Sequence, residues 1–177
     1  MRRWMMVVMA MLCAAGACAD DCQEFAYRSA AASVAGVERV IIIGGAGFLH
    51  VAGRAGAARI RADGKACAAI EELLVGIRLS ASRSGKVVTI QASVPKQKAT
   101  LFAAEPHLDF TVTVPSGVDV EVVDLSGEVR VQRVRNVIVD QHAGPVSVSD
   151  LAGDFTVRKG SGAVDYERVK GRVTIAR

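Results

Sequence analysis

The chain has 177 residues, of which 51% are hydrophobic and only 5% aromatic, and its formal net charge is +4. A composition dominated by Val, Ile, Leu and Ala can bury a sizeable core, and so small a charge excess is no nucleic-acid footprint. The scarcity of rings leaves little material for stacking on sugars or bases.

In chain order, Arg2 and Arg3 precede an apolar run from Trp4 to about Leu12, followed by small residues ending in Ala17-Cys18-Ala19. That order predicts a secretory signal peptide over residues 1–19. The run is too short for a bilayer, which takes about 20 helical residues, so no transmembrane span is expected. Ala15-Gly16-Ala17-Cys18 loosely matches a lipoprotein box, but Ala stands three before the cysteine where Leu is usual. Cleavage after Ala19 is therefore preferred to lipidation of Cys18. The chain is expected in the periplasm or outer cell envelope. Removing residues 1–19 takes away Arg2 and Arg3, lowers the formal charge from +4 to +2, and leaves Cys22 and Cys67 as the cysteines. In an oxidising compartment their simplest use is one disulfide. Zinc would need more ligands, and no His lies near either cysteine.

The first strong segment is Val37-Glu38-Arg39-Val40-Ile41-Ile42-Ile43, a β-branched run stopped by Gly44-Gly45, which predicts a strand. Phe48-Leu49-His50-Val51 and Ala58-Arg59-Ile60-Arg61-Ala62 follow, divided by turns at Gly53 and Gly56. Residues 68–74 (AAIEELL) hold helix formers enough for about two turns. Two further apolar runs, 77–81 and 87–92, flank Ser82-Arg83-Ser84-Gly85 and predict a β-hairpin. Residues 20–107 are thus expected to form an antiparallel β region with one short helix and the disulfide.

From Leu108 the pattern becomes periodic. Glycines 127, 144, 153, 162 and 171 are followed two and four residues on by Val129/Val131, Val146/Val148, Phe155/Val157, Val164/Tyr166 and Val173/Ile175. Gly144 through Gly171 recur every nine residues. The stretch before keeps that spacing if one residue is deleted near Asn136, where Val137/Val139 take the apolar places. Fixed-period repeats predict a β-solenoid over residues 108–177, continuous with the N-terminal region. Leu125, Val134, Leu151 and Val169 precede the turns at Gly127, Asn136, Gly153 and Gly171, whereas the other turns lack such a residue. The longer repeat is therefore about eighteen residues. If one such repeat makes one coil, coils lie about 4.8 Å apart, and Arg133, Asp150 and Arg168 stack as an Arg, Asp, Arg ladder.

Ser126-Gly127-Glu128-Val129-Arg130-Val131 and Gly160-Ser161-Gly162-Ala163-Val164-Asp165 resemble copies of the Gly-Ser-Gly-Asp-Val-x-Val repeat of the bacterial DUF4097 adhesin-like family. Asp21-Cys22, Leu49-His50-Val51-Ala52-Gly53 and Cys67 are similar to that family's N-terminal landmarks. The resemblance covers most of the chain after residue 19. It implies a β-helix-like protein exported to the cell envelope.

Ile43-Gly44-Gly45-Ala46-Gly47-Phe48 resembles the phosphate-cradling turn of extended short-chain dehydrogenases. Residues 49–56 (LHVAGRAG) contain two glycines and no helical apolar face, so the helix that would hold pyrophosphate is missing. A turn between strands is expected instead, and no cofactor. His50, His107 and His142 lack metal-ligand spacing, and Ser161 sits in no nucleophile elbow. No catalytic or metal residue is predicted. A polysaccharide-cleaving β-helix using Asp150, Asp165 and Glu167 as acid and base is the competing reading. The shortage of aromatic subsite residues, with Phe155 and Tyr166 taken as core, weighs against it. The expected function is a non-catalytic, adhesin-like or structural envelope protein presenting rows of side chains to a glycan, lipopolysaccharide or protein partner. Its last predicted strand, Arg172 to Arg177, offers an edge for pairing with a second copy or another partner, the alternative being that Arg172 and Arg177 guard that edge.

Overall fold

The computed structural model describes residues 22–96 and 105–176; the predicted signal peptide, Cys18 and Arg177 lie outside them. The N-terminal half runs β1 (Glu24–Ser33), β2 (Arg39–Ile43), β3 (Leu49–Arg54), β4 (Arg59–Ala68), α1 (Glu71–Gly76), β5 (Arg78–Ser84) and β6 (Val87–Ser93). The rest runs β7 (His107–Pro115), β8 (Asp119–Ser126), β9 (Val129–Gln132), β10 (Val137–Ala143) and β11 (Val146–Leu151), then β12 (Phe155–Val157), β13 (Gly160–Ser161), β14 (Val164–Val169) and β15 (Val173–Ile175). The chain is all-β with one short helix among the described residues.

Two mixed sheets form around a common apolar core. Sheet I has the order β1-β4-β7-β3-β9-β11-β14 and sheet II the order β15-β12-β10-β8-β2-β6-β5, with β13 also beside β10. Strand alternation explains the core. Val129, Val131, Val146 and Val148 of sheet I and Val120, Val122, Val137, Val139, Phe155 and Val157 of sheet II point inward and are buried. Branched side chains of this kind suit a parallel pleated surface. The apolar pairs read from the repeat are the residues that stack. Val164 lies opposite Val146 and Val173 opposite Phe155, eighteen residues apart, whereas Val146 lies opposite Val129 and Val137 opposite Val120, seventeen apart. The residue missing near Asn136 is absorbed at a corner, leaving the strand registers intact.

The N-terminal half departs from the antiparallel expectation. β1–β4, β4–β7 and the β5–β6 hairpin are antiparallel, but β2 lies parallel between β6 and β8, and β3 parallel between β7 and β9. Consecutive strands β2 and β3 enter opposite sheets because the Gly44-Gly45-Ala46-Gly47 turn crosses the core edge instead of folding back. The helix starts at Glu71 rather than at residue 68, since Cys67 and Ala68 are still buried in the β4 ladder. Tyr166, read as core, is 52% exposed, because its strand β14 has a neighbour on one side only among the described residues.

One end of the core is closed. β1 and β5 lie against each other across the two sheets, and α1 packs on β1 and β4, burying Leu74. Arg28 Nε and Nη2 donate to the carbonyls of Ile77 and Leu74, 2.8 and 3.0 Å away, satisfying groups at the C-terminal end of α1. Cys22 and Cys67 are bonded, with Cα atoms 5.4 Å apart, and this ties the start of β1 to the end of β4.

Candidate functional site

The corners between the sheets set how the outer faces are presented. Gly47, Gly127, Gly144 and Gly162 form one column, with φ between +125° and +139°. A Cβ on Gly127 would lie 2.1 Å from Gly47 O, and one on Gly162 would lie 2.1 Å from Gly144 O. Backbone packs directly on backbone here, which only glycine permits. The dinucleotide-like Gly-rich turn is thus the first step of this column. The opposite corner carries Gly53, Arg133, Asp150 and Arg168, the last three with φ of 57°, 57° and 51°.

The spacing-derived ladder occupies that second corner. Arg168 Nε donates to Asp150 Oδ1 at 2.5 Å, and its Nη2 reaches Glu167 as well. Arg133 turns away, donating to Gly53 O at 3.3 Å and Gln132 Oε1 at 3.1 Å. The hydrogen bond from Arg168 holds the Asp150 carboxyl below the usual carboxylate range, with the charge of Arg133 adding to it. A general acid requires the opposite shift. Asp165 and Glu167 project outward from the exposed strand β14.

The outer face of sheet II is knitted by its own groups. Asn136 Nδ2 donates to Asp119 Oδ1, the Asp154 amide to Asn136 Oδ1, and the Arg172 amide to Asp154 Oδ1, at 2.7, 2.7 and 2.8 Å. Arg135 Nε donates to the same Asp119 oxygen at 2.7 Å, while Arg158 lies within 3.6 Å of both Glu121 and Asp140. This Asx column went unseen in the sequence, where Asn136 reads as a glycine substitute. The spacing of Asp119, Asn136 and Asp154, seventeen and then eighteen residues, was the available signal.

Asn136→Ala is expected to cost about 1–2 kcal/mol, because the Asp154 amide loses its acceptor, as read by urea unfolding. The Arg135 hydrogen bond holds the Asp119 carboxyl below its usual range despite partial burial, helped by Asn136 and the charges of Arg135 and Arg39. A depressed carboxylate stabilises the fold above its unfolded pKa of about 4 and loses that contribution as pH falls through the lower folded value. Asp119→Asn should therefore flatten the acid limb of the stability profile below about pH 4. An unchanged acid limb would contradict this account of Asp119.

The outer face of sheet I is different in kind. Following the registers, Ser29, Asp63, Thr111, His50, Arg130, Ser147 and Asp165 form a row across all seven strands, beside a second row of Ala31, Arg61, Thr113, Ala52, Gln132, Ser149 and Glu167. Six strand spacings make the rows about 29 Å long. Between their charged ends the rows carry hydroxyl, amide and imidazole groups together with the Arg130 guanidinium, which is paired with Glu128. Aromatic rings flank it: Phe25 and Tyr27 on β1 are 56% and 77% exposed with centroids 6.2 Å apart, and Phe48 lies 6.5 Å from His50. A shallow depression of about 350 Å³ lies against Tyr27, Ser29, Arg61 and Asp63.

The charges on this face are largely engaged. Arg61 Nη2 reaches Asp63 at 2.9 Å, and Arg130 Nη2 reaches Glu128 at 2.7 Å while its guanidinium covers the Phe48 ring at 5.7 Å. Gln132 Nε2 lies 2.6 Å from His50 Nε2. Burial, then the charges of Arg130 and Arg133, lower the His50 pKa, so its ring is neutral at neutral pH. A neutral imidazole with one accepting and one donating nitrogen suits hydroxyl partners. Sequence reasoning counted few rings and missed that Phe25, Tyr27, Phe48 and His50 share one face; their even separations were the signal. His107 lies on the same face at the β4–β7 border. Among the described residues no group of three His, Cys, Asp or Glu side chains is placed to hold a metal ion.

No protein-family model matches the chain. No curated protein matches it either. Among solved structures, the chain is similar to a candidate cell-adhesion protein of Clostridium sporogenes, at 13% identity over 86% of this chain and 99% of that one, with a TM-score of 0.43. It is also similar to a candidate adhesin of Bacteroides fragilis (13% identity, 88% and 97% coverage, TM-score 0.36) and to a candidate lipid-binding protein of Parabacteroides distasonis (7%, 88% and 98%, 0.30). Likenesses this distant carry no functional argument. The bonded cysteines are compatible with export. Among the described residues no helix is long and apolar enough to cross a membrane.

Proposed function

We propose that this chain is an exported, non-catalytic envelope protein built as a short β-solenoid, and that the outer face of sheet I binds a hydroxylated envelope glycan. The supporting observation is the pair of polar rows with flanking rings. A parallel sheet holds Thr111, Thr113, His50, Gln132, Ser147 and Ser149 at a fixed pitch, and a polymer with repeated hydroxyls meets repeated donors and acceptors. Individually weak contacts in register add through effective concentration. Exposed Phe25 and Tyr27 supply apolar faces for sugar rings at low entropy cost. Sheet II offers no such rows, because its outer face carries the ion pairs of Arg39, Arg135 and Arg158 with Asp119 and Glu121.

The solenoid reading rests on the 17- and 18-residue offsets between parallel strands in both sheets. It joins residues 20–107 and 108–177 into one body, since β2 and β3 pair with β8 and β9. Catalysis by Asp150, Asp165 and Glu167 is not favoured, as Asp150 is held ionised against Arg168.

The test is cosedimentation of protein purified after expression of the full 177-residue chain with purified cell-wall sacculi and, separately, outer-membrane vesicles. Retention on one or both is expected, and because the charges in the rows are largely paired within the protein it should change less than about twofold between low and high salt. Retention on sacculi identifies a peptidoglycan chain and retention on vesicles a lipopolysaccharide sugar. Loss from both at every salt concentration would overturn the proposal.

A further inference from the structure

Among the described residues β14 and β15 are the outermost strands of sheets I and II, each with a neighbour on one side only. The inner faces of these strands are incompletely covered. Tyr166 is 52% and Ile175 39% exposed, and Val164 and Val173 are half-buried. This contrasts with the opposite end, where β1, β5 and α1 close the core.

The levels of the two edges are defined by the core between them. Val164 and Ile175 line one depression of about 270 Å³ together with Val157, so they face each other across the core. The Tyr166 ring lies 6.3 Å from that of Phe155, which is in register with Val173. Tyr166 is thus level with Val173, and the two strands run in opposite directions. By strand pitch Asp165 is level with Thr174, and Glu167 with Arg172.

We infer that two copies of this chain join through these edges about a two-fold axis parallel to the strands. Such a rotation exchanges the sheets and lays β14 of one copy antiparallel to β15 of the other, with levels conserved. Inward, Val164 meets Ile175 and Tyr166 meets Val173 of the second copy; outward, Asp165 meets Thr174 and Glu167 meets Arg172. The symmetry makes each pair twice. All the inward pairs are apolar, and the outward ones are a hydrogen-bonding pair and an opposite-charge pair. A two-fold axis perpendicular to the sheets would instead pair β14 with itself and set Asp165 against Glu167, which like-charge repulsion disfavours. An isologous contact closes at two copies and caps both edges.

The association is at the small end of specific interfaces, so sedimentation equilibrium should extend to about 200 µM. The expected result, with protein from the full 177-residue chain, is a mass rising towards twice the monomer. Glu167→Lys and Arg172→Glu should each remain monomeric, since each repeats a like-charge pair twice. Mixing the two variants should restore the double mass, because both pairs between positions 167 and 172 are again of opposite charge. Both residues are exposed, and circular dichroism verifies folding of each variant. Should either fail to fold, Thr174→Glu, set against Asp165, provides the monomeric variant instead. A wild-type protein monomeric throughout, single variants that still dimerise, or a mixture that stays monomeric would each overturn the inference.

Discussion

A Gly144→Ala protein should lose about 4 kcal/mol of unfolding free energy, against about 1 kcal/mol for Gly56→Ala, as measured by urea denaturation. Both glycines have positive φ, +125° and +68°. The difference lies in what surrounds them. A Cβ on Gly144 would lie 2.4 Å from Gly127 O and 2.8 Å from Gly127 C, whereas nothing lies within 4 Å of one on Gly56. Relief by backbone movement is blocked, because Gly127 N–H donates to Ala143 O at 2.7 Å and Gly144 N–H to Ser161 O at 2.8 Å. Moving one corner would break bonds to the strands on either side. Gly56→Ala pays only the left-handed backbone strain. Equal losses in the two variants would show that backbone stacking at the glycine column does not hold the successive corners together.

Replacing Cys22 and Cys67 together with alanine should lower unfolding free energy by about 3–4 kcal/mol, and reduction of the wild type by dithiothreitol should reproduce the loss. The bond closes a 45-residue separation, long enough for a large effect on unfolded-chain entropy. It also has a local consequence. β1 is the outer strand of sheet I, held along its length by a ten-residue ladder with β4 and by Arg28, and the disulfide pins the start of that ladder, where exposed Phe25 and Tyr27 contribute little burial. Amide exchange should accelerate most in β1 after reduction. Unchanged protection there, with an unchanged midpoint, would contradict the structural role assigned to the bond.

The periodic half of the chain was legible because side-chain alternation and the nine-residue glycine spacing both act locally. Val129, Val146 and Val164 stand in one register, so position in the repeat predicts position in the fold. The N-terminal half was less legible. Whether β2 pairs with β3 or with a strand 80 residues away depends on the path of the turn over residues 44–47, and glycines permit either path. Gly47 is in the same corner as Gly127, but without a repeat around it nothing local says so. The corner at Arg133, Asp150 and Arg168 shows a second limit: spacing placed the three in one column, but arginine at positive φ is set by its neighbours, against its own preference. Asp150 and Arg168 meet, while Arg133 bonds Gly53 O and Gln132 Oε1 instead. The rings of the sheet I face were in plain view as residues, yet they come together through β1 and β3, which lie three places apart in the sheet.

The most direct measurement compares retention of two double variants on whichever envelope fraction holds the wild type. Thr111→Glu with Ser147→Glu places carboxylates in the middle of the sheet I row, where both side chains face outward. Thr89→Glu with Thr156→Glu does the same to the outer face of sheet II. Retention should fall at least about tenfold for the first pair and stay within about twofold of wild type for the second. Full retention of the sheet I variant, or loss confined to the sheet II variant, would contradict the assignment of glycan binding to the outer face of sheet I.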